Sequence, residues 1–356
     1  MKIQLIFLLC IIIFSCNTNS NENPKNIVFP IEVDLVGKTI LEDDITVNRL
    51  HSIDTLLLAE LRGDSHLYAV YNPNDFTQLF KFAIEGSGPD EFIIPLYFTD
   101  FTIENENYMC WFYELNKYKL HKVNLSESLK EGELVIEDII PLSQKANFSK
   151  VFYLDSTKLI GTITNMDIKM GRMRLYNPLE EEIIKTVENF PEVEKKSDDV
   201  NYLYFRHNYL YVGKPVIHPE RNKIASLLNR FDRMDVFDTQ LNLQNSISYS
   251  SFNENGVIDN YLTVENVNDS DIKSYYVDAF GTKDYIYALY QNQLFRDYGT
   301  EKPVEIRVFD WELNPVGLFR IPDYLANFTV DESRGKIYGV KSSSDNAILE
   351  YNFQKF

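Results

Sequence analysis

The chain has 356 residues and carries 35 Lys and Arg against 53 Asp and Glu, a formal net charge of −18. With 44% hydrophobic and 25% charged residues it has the balance of a folded globular protein, which excludes disordered and fibrous classes. So acidic a chain argues against nucleic acid and against docking on anionic lipid, since both need clustered Lys and Arg. The aromatic share of 14%, with 23 Tyr and 24 Phe, points to strands, whose pleated faces accept aromatic and β-branched side chains.

The first element is an apolar run, Ile3–Phe14, broken only by Gln4 and preceded by Lys2. It is shorter than the roughly 20 residues that span a bilayer and has the form of a signal-peptide core. It ends in Ile13-Phe14-Ser15-Cys16, followed by the polar stretch Asn17–Pro24. An apolar residue three before a Cys, a small residue just before it and a polar tether after it resemble the bacterial lipoprotein signal. That resemblance implies lipid on Cys16; the alternative is an ordinary secretory signal with an incidental Cys. The expected organisation is a signal over 1–15, a flexible tether over 16–25 and one domain over 26–356. No later stretch approaches 18 apolar residues, so the lipid is the expected link to the membrane. Asn17 is not an Asp retention signal and no acidic cluster follows Cys16. The expected address is therefore the outer membrane, facing the periplasm. Cys110 is then the one thiol in the folded domain, inside the strand-like Tyr108–Tyr113, where a buried inert thiol is expected.

A repeat runs through the rest. Six strand-like segments end in Asn or Asp at a turn: Asn72, Asn124, Asn177, Asp238, Asp310 and Asn352. Ahead of each lies a second strand-like run, Leu56–Glu60, Tyr108–Tyr113, Lys158–Ile163, Lys223–Leu228, Tyr285–Tyr290 and Lys336–Lys341. Another follows in five of them, Thr77–Phe82, Leu134–Ile140, Glu182–Val187, Gln244–Tyr249 and Val316–Ile321. Each unit reads as four short strands, so the predicted fold is all-β, a six-bladed β-propeller of four-stranded blades. A pair of β-sandwiches is the alternative. The sixth unit stops at Phe356 before its outer strand, and the alternating segment Ile27–Leu35 is available to close the ring and remove open edges.

Between the first two units lies Gly86-Ser87-Gly88-Pro89-Asp90-Glu91-Phe92. With the signal and the six-unit spacing, this segment resembles the TolB-like six-bladed propeller lipoproteins of Bacteroidetes, which carry Gly-x-Gly-Pro-x-Glu-Phe after blade one. The resemblance implies an NHL-like or lactonase-like propeller in the cell envelope and no particular chemistry. Gly86 and Gly88 permit unusual backbone angles or close approach, Pro89 stiffens the turn, and Asp90 and Glu91 either cap a neighbour or bind something. A structural crossover into blade two is favoured over a ligand loop.

In a propeller the loops between strands two and three share a face with the crossovers between blades. The long insertions 188–212, 250–278 and 291–303 fall there, as do Arg62, Asp64, Arg172 and Arg233. These arginines are candidates for holding a carboxylate or sulfate at the channel mouth, against a bland reading as a solvated rim. The aromatic stretch Asn201–Tyr211 is read as the inner strand of blade four, aiming Arg206 and His207 at the channel, in preference to a sugar- or peptide-stacking platform. No catalytic or metal motif stands out. His51, His66, His121, His207 and His218 lack metal spacing, and no Gly-x-Ser-x-Gly, Cys-x-x-Cys or calcium loop occurs. No cofactor is indicated. The expectation is a monomeric, non-catalytic module that binds an envelope protein, a peptide or a glycan. The rival is a hydrolase or lactonase using a channel metal assembled from single residues on different blades.

Overall fold

Each repeat unit becomes one antiparallel sheet because its apolar residues must be buried against the sheets on either side. The computed structural model describes residues 27–41, 46–88, 91–163, 171–187, 211–249, 272–297, 302–341 and 347–356. From the axis outward, blade one is Thr46–Ile53, Leu56–Arg62, His66–Tyr71 and Gln78–Ile84. Blade two is Leu96–Glu104, Asn107–Glu114, Lys119–Asn124 and Ile136–Pro141; blade three is Phe148–Asp155, Lys158–Ile163, Met173–Asn177 and Glu182–Val187. Blade four is Gly213–Ile217, Lys223–Leu228, Arg233–Asp238 and Leu243–Ser248, and blade five is Lys273–Gly281, Tyr285–Leu294, Val304–Asp310 and Pro315–Ile321. Blade six contributes Leu325–Asp331, Lys336–Lys341 and Ile348–Asn352. The protein is a six-bladed propeller.

The repeated Asn and Asp have a common physical role. Each closes the third strand or follows it directly, and in the first five blades its side-chain oxygen accepts from the backbone just beyond. Asn72 accepts from Asn74 N at 3.0 Å, Asn177 from Leu179 N at 3.0 Å, and Asp310 from Glu312 N at 3.0 Å and Asn314 N at 2.8 Å. Such local acceptors make a turn out of a short polar loop. In blade two the same position, Asn124, caps a short helix, Leu125–Glu131, by accepting from Glu127 N at 3.0 Å.

The core lies between blades. Tyr68, Val70 and Phe82 of blade one pack with Phe98, Phe112 and Val123 of blade two, and the Tyr68 hydroxyl donates to Leu96 O at 2.7 Å. Trp111 and Tyr113 of blade two meet Phe148, Val151 and Tyr176 of blade three in the next seam. Rings of this size contribute about 1.5–3 kcal/mol each on burial.

The ring is closed by an N-terminal strand on the last blade, but Ile27–Leu35 is not that strand. Lys38–Leu41 pairs antiparallel with Ile348–Asn352 and completes blade six. The preceding Ile31–Asp34 instead runs parallel to Pro315–Ile321 as a fifth strand of blade five, anchored by Phe29 against Phe309 and by buried Leu35. Alternation marks a strand but not its partner, and the closing strand needed only four residues. The N-terminal segment therefore spans two blades. Blade four differs too: its inner strand is Gly213–Ile217, so Asn201–Tyr211 does not fill that slot, and 201–210 lie outside the described residues.

Candidate functional site: the axial channel

The inner strands surround a channel of about 790 Å³, lined from all six blades. Its walls are largely apolar, including Phe98, Phe101, Phe152, Val216 and Phe328. What distinguishes it is a recurring break in pairing. The register between the inner and second strands shifts just before Arg49 in blade one, Asp100 in blade two, Lys150 in blade three and Asp278 in blade five. A bulge of this kind re-aims a side chain relative to regular alternation. All four residues line the channel, joined by Lys214 from blade four.

Two ion pairs cross the channel between non-adjacent blades. Arg221 meets Asp100 at 2.9 Å, and Arg49 meets Asp278 at a looser 3.8 Å. Lys150 and Lys214 have no hydrogen-bond or ion-pair partner among the described residues; Lys150 stands 5.0 Å over the Phe152 ring. Burial, and then the nearby Arg49, push the Lys150 ammonium down to about 8, against the pull of Asp278 and Asp100. The same two causes lower Lys214, while Asp278 raises Arg49. His51 is lowered well below its usual range by burial, then by Arg49 and Lys150, so it is neutral; its buried Nε2 has no hydrogen-bond partner. Its ring packs 4.4 Å from that of Phe98. An enclosed cation without a counter-ion costs of order several kcal/mol, so the middle of this channel is held in an electrostatically unfavourable state.

Charges of both signs line the channel, Glu60 opposite Arg49 on the crossover side and Arg221 and Lys283 at the hairpin end among them. Arg49, Lys150 and Lys214 lie in the first halves of their strands, towards the crossover face. Asp54, Asp331 and Glu332 line the channel at the hairpin end, where Glu332 accepts from Thr282 Oγ1 at 2.9 Å and Tyr287 OH at 2.8 Å. Among the described residues no group of three or more His, Cys, Asp or Glu is placed to hold a metal ion. Asp100 and Asp278 are each turned to an arginine instead.

The residues singled out from sequence lie elsewhere. Arg62 is exposed at the end of the second strand of blade one. Asp64 accepts from Lys81 Nζ at 2.7 Å and His66 N at 2.8 Å, bonds that hold its carboxyl down to about 2. Arg172 and Arg233 do converge, but on Asp235, at 3.0 and 2.8 Å, and neither lines the channel. Burial alone would raise the Asp235 carboxyl; Arg172 and Arg233 outweigh it. Arg206, His207, Cys16, Pro89 and Asp90 lie outside the described residues.

The Gly-x-Gly-Pro-x-Glu-Phe loop does join the outer strand of blade one to the inner strand of blade two. Glu91 turns back into its own loop and accepts from Gly88 N at 2.7 Å. A Cβ on Gly86 would meet that carboxylate, so a larger residue there would require the Glu91 side chain to move. Phe92 is buried in the seam between blades one and two, and its N–H donates to Ile84 O at 2.9 Å. The channel residues were missed because each is a single charged residue inside an inner strand, with no motif around it. That pattern, Arg49 in Thr46–Ile53 or Lys150 in Phe148–Asp155, was the available signal.

Solved structures share this architecture. One is a member of the duf4221 family from Bacteroides vulgatus, 10% identical, with a TM-score of 0.56 over 90% of this chain and 97% of that one. Another is a protein of Bacteroides fragilis described as exported, 15% identical, with a TM-score of 0.55 over 91% of this chain and 99% of that one. A search of the curated proteins found no match to the chain. The family model of the TolB-like 6-blade propeller matches residues 45–333, from the inner strand of blade one into blade six, and the chain belongs to that family.

Proposed function

We propose that this protein is a lipid-anchored cell-envelope propeller that binds a small ligand in its axial channel and does not transform it. The observation that carries the reading is the channel itself. Its volume of about 790 Å³ falls within the range of small-molecule sites, and apolar walls with a few convergent polar groups have the composition of such sites. The anchoring and outer-membrane part rests on the signal-like N-terminus ending at Cys16; the Bacteroides fragilis structure described as exported is in keeping with it. Among the described residues no helix is long and apolar enough to cross a membrane. The channel-metal hydrolase is disfavoured because Asp100 and Asp278 are drawn to Arg221 and Arg49, and the free charges beside them repel a divalent cation.

The test is to denature the freshly purified mature protein and identify what is released, by untargeted mass spectrometry for small molecules and plasma mass spectrometry for metals. A small molecule near one per chain, with no stoichiometric metal, is the expected result. One tightly held divalent metal per chain would overturn the non-catalytic reading.

A further inference from the structure

We infer that the channel ligand is an organic anion, a carboxylate or phosphate ester, whose charged head sits between Lys150 and Lys214 beside Arg49 and whose body lies along the aromatic wall. The inference rests on the channel being the ligand site and adds the chemistry of what enters it.

Three observations, on the inner strands of blades one, three and four, converge. Lys150 and Lys214 come from blades three and four and have no carboxylate within ion-pair distance among the described residues, although the whole chain carries −18. Arg49 reaches them from blade one and is only loosely held by Asp278, at 3.8 Å. The buried Nε2 of His51, two residues on, has no hydrogen-bond partner. Among the described residues of this Asp- and Glu-rich protein nothing neutralises these cations in their enclosed space, and we assign the neutralising group to the ligand. The channel volume far exceeds that of an inorganic anion, so the head must carry a body; Phe98 and Phe152 supply the surface for one. A cation is excluded from the same place by the same charges, and a neutral ligand would leave both ammonium groups unpaired.

A proton accompanies the anion. Lys150 faces Arg49, Lys214 and neutral His51 on the repulsive side and Asp100 and Asp278 on the attractive side, and its ammonium sits near 8 in the empty channel. An arriving anion raises it. Affinity is therefore flat below about pH 8 and falls as pH rises above it, by up to about tenfold per unit, with proton uptake on binding in that range.

The experiment is calorimetric titration of the mature chain at pH 7 and pH 9 with phenyl phosphate and phenylacetate, using 2-phenylethanol as the neutral isostere. Both anions are expected to bind at least tenfold more tightly than the alcohol, more weakly at pH 9, and at least tenfold more weakly to Lys150→Met and Lys214→Met. Lys150→Arg, which keeps the charge, retains part of the affinity and reports on folding. Equal binding of alcohol and anions, unchanged binding by the Lys150→Met/Lys214→Met double variant, or no binding of either anion overturns the inference. The channel reading fails separately. A neutral molecule released from the native protein and lost on Val216→Trp, a substitution at the channel wall, in a variant whose thermal melt is unchanged, sinks the anion and keeps the channel. A released molecule retained by Val216→Trp sinks both.

Discussion

Two basic clusters in this propeller draw on the same two blades, three and four, and differ in one respect. At the seam of blades three and four, Arg172 and Arg233 close on the fully buried Asp235, which also accepts from Ser246 Oγ at 2.7 Å. In the channel, Lys150 and Lys214 have no such carboxylate among the described residues. The first cluster is finished by the chain itself and holds blades together; the second is left open. A charged group identifies a site when its partner is missing, not when its charge is conspicuous in the sequence.

Removing the partner in the finished cluster should have the largest effect. Asp235→Ala leaves two arginines facing each other at a buried position and should cost about 3–5 kcal/mol in denaturant unfolding, while affinity for a channel ligand is little changed. If ligand affinity collapses while the protein remains folded, the two clusters are not separate. In the open cluster the sign reverses. Lys150→Met removes an uncompensated cation and should stabilise the ligand-free protein by on the order of 1–3 kcal/mol at pH 7. The sign follows from the lysine's folded value lying below its unfolded one. The penalty is fully present below about pH 8 and fades as pH rises from there towards the unfolded lysine's value near 10.4. Thermal melts across that range should therefore show wild type and variant converging. A variant less stable than wild type at pH 7 would mean that Lys150 has a structural partner.

Smaller effects sharpen the contrast between self-satisfied and open groups. Glu91→Ala should lose about 1–2 kcal/mol, the worth of a partly exposed charged hydrogen bond to Gly88 N, with no change in ligand affinity. A loss of affinity without a loss of stability would make the motif loop a ligand loop after all. Asp310→Ala removes the acceptor that turns blade five at Glu312 and Asn314, and a loss of about 1 kcal/mol in unfolding free energy, read from urea melts, is expected.

The blade architecture was legible because Asn72, Asn124, Asn177, Asp238, Asp310 and Asn352 recur for a local reason. In the first five a side-chain oxygen two bonds beyond Cβ reaches the backbone amides of its own segment, so the signal is written in contiguous residues. The chain also showed that an N-terminal strand must close the last blade. It did not show which one, since Ile31–Asp34 and Lys38–Leu41 compete for edges whose positions depend on the assembled ring. The channel was illegible for the same kind of reason. Arg49, Lys150, Lys214 and Asp278 lie tens of residues apart and meet only when six blades close. The bulges that aim most of them inward are irregularities that alternation cannot announce. Arg172 and Arg233 looked like site residues because arginine near a loop is a general cue. Only the fold reveals Asp235 waiting between them.

The account stands most directly on the state of the two channel lysines. A pH titration of their side-chain nitrogen resonances by NMR, with and without phenyl phosphate, reads that state atom by atom. Lys150 should titrate near 8 in the free protein and move upward when the phosphate ester is added, with Lys214 shifting in the same direction. Two lysines titrating near 10.4, indifferent to the added anion, would show that the channel cations are already satisfied and would contradict the account.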